Sequence, residues 1–297
     1  MKRDRFEKVN IQNLRERIRT SLNNKYFNLW MGSYVFEGVS EEANDFIMRK
    51  LWFEGSVACF AEKFTKDLIF APFAAQTYNI YDFPEKVQLI NIRAVTFIPT
   101  TPQLVNKDVV LLYAQPNHKA IRMIVDDYID RIVNVEMVIN TNLSTHKIPF
   151  LYAVNPQDEA KAKDVVTRIL NDEPVIFMDF NELQNVQALI TNTPYIIDKL
   201  YQYKISLENE LLTYLGIDNA PDEKKERLIV DEVNANNALI NANRSVVLTQ
   251  LEDFCDKVNE ILVTEGIEEI SVICKYESSA SVHEENYTTE EGESENE

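Results

Sequence analysis

The sequence predicts an α+β fold, mainly helical, with two long helices, a small antiparallel sheet or barrel before them and a β-α-β insert between them. Three observations carry that expectation. Residues 119–142 and 194–216 each place apolar residues on one stripe at helical spacing. Residues 56–96 break into short runs rich in β-branched and aromatic residues, with turns between them. The stretch that separates the two helices has the texture of strand, helix, strand. A chain of 297 residues with 45% hydrophobic composition can bury a sizeable core, or two or three modest subdomains.

The first element is a long N-terminal helix in "IQNLRERIRTSLNNKYFNLWMGSYVF". There Leu14, Ile18, Leu22, Phe27 and Trp30 recur at roughly helical spacing, with Arg on the other face. A short helix is expected at residues 45–53. "SVACFAEK", "LIFAPFAA", "YNIYDF" and "KVQLINI" then supply the sheet. "IPTTPQL", residues 98–104, is a proline-bounded connection and a helix start signal. The first long helix, residues 119–142, carries Ile121, Ile124, Val125, Tyr128, Ile132, Val135 and Ile139 on its stripe. The second, residues 194–216, carries Ile197, Leu200, Leu207, Leu211 and Leu215. Pro194 suits a first helical turn and Gly216 a left-handed stop. Each helix spans about 35 Å at about 1.5 Å per residue. Between them, "KIPFLYAV" and "EPVIFMD" read as strands around a polar helix at residues 156–171. Residues 217–245 read as a loop. "PDEKKERLIVDEVNANNALINANR" alternates charges, then turns Asn-rich, and its apolar residues do not keep a helical period for long. A helix at residues 246–264, a strand at 270–276 and an acidic tail at 277–297 close the chain. The tail carries too little apolar surface to fold alone.

The charge pattern excludes one class of function. A formal net charge of −18 and a pI near 4.7 oppose the counterion displacement by which proteins grip phosphate backbones. The charge is uneven: seven Lys and Arg against three acids in the first nineteen residues, and eight Glu with no Lys or Arg from Glu277 onward. Cys59, Cys255 and Cys274 share no ligand spacing and read as reduced, mostly buried thiols. No apolar run approaches a membrane span, and the basic N-terminus lacks the apolar core of a signal peptide. A chain assembled in the cytosol, without membrane partners, is expected. With six Gly there is no glycine-rich phosphate loop followed by Lys. His118, His146 and His283 sit in separate segments, and His146 reads as a surface-loop residue. Asp126, Asp127 and Asp130 cluster on one helix, with Asp126 and Asp130 on one face, and read as a solvated acidic face. No catalytic residue, metal site or cofactor is expected, and the chain is not expected to be an enzyme.

"TPYIIDKLYQYKISLENELLTYLGIDNAPDEKKERLIVDEVNANN" resembles the corresponding region of the upper collar proteins. These are the head–tail connector, or portal, proteins of small short-tailed bacteriophages with protein-primed linear genomes. "EKKER", then "DEV", then Asn is the most specific part; "IPTTP", "EPVIFM" and "LEDFCDKVNEI" follow the same order. The likeness runs with gaps from the N-terminal helix to about Tyr276 and leaves out the tail.

The resemblance implies a dodecameric ring, located at the head–tail junction of the virion and assembled in the host cytoplasm, through which double-stranded DNA is packaged, retained and ejected. It implies a mainly helical portal fold: the N-terminal helix and a wing with the small sheet in residues 1–118, stem helices at 119–142 and 194–216 that the N-terminal helix joins, a clip at 143–193, a channel loop at 217–245 and a C-terminal wing at 246–276. Implied partners are further copies of the chain, DNA, the capsid protein, a lower collar or tail protein and a packaging ATPase. A packaging RNA is a further candidate partner. The family's stem carries lysines facing the channel. Lys199 matches one such position, a second is apolar here at Ile190, and Lys204 matches a further family lysine. The implied channel residues are Lys199, Asp222, Glu223, Lys224, Lys225, Glu226, Arg227, Asp231, Glu232 and Asn234; the implied nucleic-acid arm is Lys2, Arg3, Arg5 and Lys8. The physics agrees. Helices pack about 8–10 Å apart, so twelve in a closed ring leave a bore on the order of 25 Å, wide enough for a duplex. An acidic wall repels phosphates, as a conduit requires. The alternatives are a structural head–tail adaptor ring without DNA gating, marked by a channel loop too short to reach the axis, and an α/β hydrolase, which needs convergent acids and a pocket.

Overall fold

The computed structural model describes residues 3–62, 64–65, 67–91, 95–147, 150–153, 187–190, 194–219, 230–264 and 266–275. Among these the elements are α1 (Arg3–Met31), β1 (Tyr34–Glu37), α2 (Glu41–Phe53), β2 (Ser56–Ala61), β3 (Leu68–Ala71), β4 (Phe73–Tyr78), β5 (Pro84–Leu89), β6 (Gln103–Leu104), β7 (Val110–Tyr113), α3 (Ile121–Lys147), β8 (Phe150–Ala153), β9 (Gln187–Ile190), α4 (Ile197–Tyr214), α5 (Val230–Ile261) and β10 (Ser271–Cys274). The class is α+β. The chain forms two units, residues 1–21 with 127–210 and residues 22–126 with 211–297, so the division falls within α1, α3 and α4.

The second unit is built on α2 and the small sheets. Ser40 caps α2: its side chain accepts the Ala43 amide, and Glu41 and Glu42 follow where the helix dipole favours acids. Ile47, Met48, Leu51 and Trp52 form its buried face. That face meets Trp30, which donates its indole N–H to the Met48 carbonyl at 2.9 Å. Phe27, Trp30, Tyr34 and Trp52 make a chain of ring contacts with centroids 5.6–6.3 Å apart. α1 stops at Met31, and the following residues become β1, which pairs antiparallel with β10 in the register Tyr34↔Cys274 to Glu37↔Ser271. The remaining strands form two three-stranded antiparallel sheets, ordered β3-β2-β7 and β4-β5-β6. Neither closes on itself, so of the sheet and barrel expected here the sheet is found. Their shared core gathers Ala58, Phe60, Ala71, Val87, Leu89 and Val109. The three cysteines are buried and form no disulfide; desolvation raises the Cys59 thiol and, as the largest cause, pushes Cys255 up to about 12.

The first unit holds most of the two long helices. Ile129, Ile132, Val133, Val135 and Ile139 of α3 and Leu207 of α4 are buried. Ion pairs and hydrogen bonds surround them: Arg19 with Asp130 at 3.3 Å, the Arg15 guanidinium with Asn134 Oδ1 at 2.9 Å, and Lys204 of α4 with Glu136 of α3. β8 falls within "KIPFLYAV", as expected, but its partner is β9, antiparallel, in the register Phe150↔Ile190. β9 was not expected as a strand. "EPVIFMD" and the helix at 156–171 lie outside the described residues, as does the tail.

Several boundaries differ from the sequence reading: "SYVF", read as the end of the first helix, leads into β1, residues 79–83 of "YNIYDF", read as a strand, form a turn, and α2 starts four residues before the expected Asp45. Residues 230–245, read as loop, are the first turns of α5. The reason is a stripe that runs through the polar text: Ile240, Arg244, Val247, Leu251, Phe254, Cys255 and Val258 are all buried, at steps of three and four. One member is an arginine, which broke the apparent period, and the interleaved alanines favour helix. "IPTTPQL" does not start a helix. Its last two residues are β6, and Asp108 Oδ2 accepts the Leu104 amide at 3.0 Å, with Asn106 at a φ of 59°, so the chain turns back into β7. Pro194 precedes α4 by three residues; its carbonyl accepts the Asn142 side-chain amide at 3.1 Å. α3 extends five residues beyond the expected Asn142, to Lys147.

Candidate functional site: the exposed face of α4 and the joint with α5

Lys199 is exposed in the first turns of α4. The side of α4 packed within its unit is marked by buried Leu207 and half-buried Leu200, Lys204 and Glu208. At about 100° per residue, Lys199, Gln202, Ser206 and Glu210 lie away from that side, and all four are exposed. Tyr201 and Tyr203 are each 52% exposed and sit on opposite flanks of the packed stripe. α4 thus carries a polar solvent-facing stripe bordered by aromatic rings. Lys204, the other family-matched lysine, is committed elsewhere. Its ammonium group pairs with Glu136 and lies 3.8 Å from Glu208. Partial burial works against its charge, but the hydrogen bond and Coulomb attraction of Glu136, with Glu208 behind, outweigh it and raise its pKa.

The end of α4 meets α5 within the second unit, and this joint is polar. The helix is stopped by Gly216 at a φ of +70°, in the left-handed region. Arg244 of α5 is 6% exposed and donates to the Gly216 carbonyl at 2.9 Å, to Asp218 Oδ1 at 2.9 Å and to Asn241 Oδ1 at 3.3 Å. The Asn243 side chain donates to the Thr213 carbonyl at 3.0 Å. Asn219 donates to Thr213 Oγ1 at 2.8 Å and accepts from the Asn236 side-chain amide at 3.0 Å. Gln115 donates to the Tyr214 hydroxyl. Backbone amides meet the carbonyls of Leu211, Leu212 and Thr213 at the helix end, and side chains from α5 add to the carbonyls of Thr213 and Gly216, one of them a guanidinium at the negative end of the α4 dipole.

The expected site residues distribute unevenly over this frame. Asp222, Glu223, Lys224, Lys225, Glu226 and Arg227 lie outside the described residues, as does Lys2. The backbones of Asp231, Glu232 and Asn234 are in the first turns of α5, and those of Arg3, Arg5 and Lys8 in α1. Among these residues the structure describes one side chain, that of Lys199. Asp126 pairs with Arg122 at 3.0 Å and Asp130 with Arg19, so two of the three clustered aspartates balance neighbouring guanidinium groups. His146 lies in α3 rather than a loop, 5.5 Å from the Tyr195 ring. His118 stacks on Tyr113 at 3.7 Å beside a groove of about 690 Å³. Sequence reasoning missed Asp218, Asn219, Asn236, Asn243 and Arg244. The signal was present: Asn236 and Asn243 are seven residues apart on one helical face, with Arg244 beside them.

Residues 5–277 match the family model described as Phage Connector (GP10). The solved structure described as "Portal and tail of native bacteriophage P68" contains a chain of similar fold, with a TM-score of 0.52 at 14% identity, covering 94% of this chain and 93% of that one.

Proposed function

The chain belongs to the phage connector family and has a connector, or portal, role at the head–tail junction of a virion; from that premise we propose that it forms a closed ring of twelve copies that conducts double-stranded DNA during packaging, retention and ejection. The observation that carries this is the family match over residues 5–277, which takes in every described element except the first two residues of α1. The geometry of α4 supports it. A helix that packs on one side, presents aromatic flanks on two others and turns Lys199, Gln202 and Ser206 to solvent suits a wall between neighbouring copies and an aqueous channel. In this reading α1, α3 and α4 are the stem, β8 and β9 the described part of the clip, and the second unit the wing. The clip meets a tail protein and a separate packaging ATPase, the wing meets the capsid, and the basic start of α1 is a candidate contact for a packaging RNA. Assembly takes place in the host cytoplasm. The chain supplies no catalysis of its own, so the packaging energy comes from the ATPase.

A second reading, a structural adaptor ring that does not gate DNA, is favoured by one observation. α5 takes up residues 230–245, most of the segment expected to reach the axis as a loop. Native mass spectrometry of the purified chain, followed by packaging of labelled DNA into particles built with it, tests both. The conduit reading expects a closed ring with the mass of twelve chains and DNA held after the ATPase is removed. A stable monomer overturns both readings. Rings that fill heads but fail to hold DNA leave only the adaptor. ATP turnover by the pure chain, abolished by a point substitution in it, contradicts the absence of catalysis.

A further inference from the structure

We propose that Arg244 and Asp218 are positioning residues for DNA retention, a latch that fixes the end of α4 on α5 at the place where the chain leaves one helix and returns in the other. The proposal rests on the conduit reading and assigns it a mechanical part. The second unit is otherwise held by an apolar core, and among its described residues those of polar or charged type that are buried as a whole are Ser33, Gln115, Thr213 and Arg244. Three of these four lie at the joint, where Gln115 meets Tyr214, Thr213 meets Asn219 and Asn243, and Arg244 meets Gly216 and Asp218.

Such concentration has a physical consequence. Apolar packing tolerates small sliding, whereas hydrogen bonds lose their strength within a few tenths of an ångström and a few tens of degrees. A joint made of directional bonds therefore holds one orientation. The steric frame leaves no slack either. A Cβ added to Gly216 meets Arg244 Cβ at 2.8 Å. The chain departs at Asn219 and is back at Asn236, and the bond between those two side chains closes the joint. Force that a duplex exerts on the wall at this joint is passed to α5 through the Arg244 guanidinium.

The two partners differ in a way that makes the latch testable. The Arg244 side chain is 8% exposed and that of Asp218 is 57% exposed. Asp218 can be replaced without opening the core, so its loss removes a charge-assisted bond and little else. The experiment uses full-length chains in assembled particles and measures three quantities: ring mass, DNA length at the end of packaging, and DNA remaining after the ATPase is removed. Asp218→Ala and Arg244→Lys are expected to leave ring mass and packaged length unchanged and to raise the fraction of DNA lost by about tenfold, the factor that follows from losing one charged hydrogen bond. Asp218→Glu, which keeps a carboxylate within reach of the guanidinium, is expected to restore retention. Combining Asp218→Ala with Arg244→Lys is expected to cost less than the sum of the two, because the bond between Arg244 and Asp218 is common to both. Retention equal to the unmodified particle in both single variants overturns the latch alone. Unmodified rings that pass no DNA, or fail to hold it, overturn the conduit reading and the latch with it.

Discussion

The core beneath α2 and the joint between α4 and α5 lie in the same unit and hold by different means. The core is a set of large rings and branched chains, with Trp30, Tyr34, Ile47, Leu51 and Trp52 at 1% exposure or less. Its energy scales with the apolar area removed from water and depends little on direction. The joint buries an arginine and a threonine and depends on direction for nearly everything. The difference separates two demands. A ring subunit must not unfold, and the core meets that demand. A conduit must also keep its wall oriented under load, and the joint meets that one at little gain in stability.

The largest expected effect lies in the core. Trp52→Ala removes the ring that packs on Phe27 and Trp30, and should cost about 3–5 kcal/mol, as large-to-small changes at buried aromatics do. A calorimetric scan of the purified ring would show it as a large fall in Tm. If Trp52→Ala cost less than a substitution at the joint, the division of labour would be wrong. Gly216→Ala is the corresponding joint substitution. It forces a side chain into a φ of +70° and onto Arg244, and should cost about 1–3 kcal/mol. Because the strain falls on the latch, DNA retention should drop in Gly216→Ala by a larger factor than in a surface variant matched for Tm.

The same contrast decided what the sequence disclosed. Apolar periodicity announced α3, α4 and the second half of α5, because burial there is carried by Leu, Ile and Val at helical steps. β2 to β5 were legible from their runs of β-branched and aromatic residues, whereas β1, β6 and β7 were not read as strands and residues 79–83 of "YNIYDF" form a turn. The joint was not legible, since its contacts pair Asn with carbonyls and Arg with Asp across as many as 30 residues, and a linear text shows no period for such pairs. The extension of the α5 stripe back to Ile240 was hidden by the buried Arg244. β9 was missed because "QALI" is too short to separate from helix by pattern alone. Among the site residues, Lys199 was named by the resemblance; its spacing sets it off the stripe of Leu200, Leu207 and Leu211, whereas Lys204 falls on that stripe and the fold holds it against Glu136.

Those two lysines sharpen the comparison at a smaller scale. Lys204→Met should lower stability by about 1 kcal/mol, because the pair with Glu136 is half-buried and leaves a carboxylate behind. Lys199→Ala should stay within about 0.5 kcal/mol of the unmodified protein, as exposed substitutions do. Denaturant titration separates the two. Packaging kinetics should show the reverse order, with Lys199→Ala altering the salt dependence of DNA passage and Lys204→Met leaving it unchanged. A Lys204 variant that changed DNA passage more than the Lys199 variant would place the wrong lysine in the channel.

The smallest expected effect is a pH dependence in the second unit. His118 adopts a φ of 58° and stacks on Tyr113 at 3.7 Å, with the Phe83 ring 5.8 Å away. Desolvation lowers its pKa from the ordinary 6.5, while burial pushes the Tyr113 hydroxyl up to about 12. Glu85, Asp253 and Lys257 line the same groove. A histidine whose folded pKa lies below its unfolded one binds fewer protons in the folded state. Its contribution to stability is therefore complete above pH 6.5 and is lost as the pH falls through the lowered value. Carboxylates titrate mainly below about pH 5, so the interval between about pH 5 and 7 reports on histidine. His118→Asn keeps a residue that tolerates the left-handed backbone and removes the titration. The Tm of the unmodified protein should fall over that interval more than the Tm of His118→Asn, with His146 and His283 common to both. Parallel curves would show that the stack on Tyr113 does not discriminate between the neutral and the protonated ring.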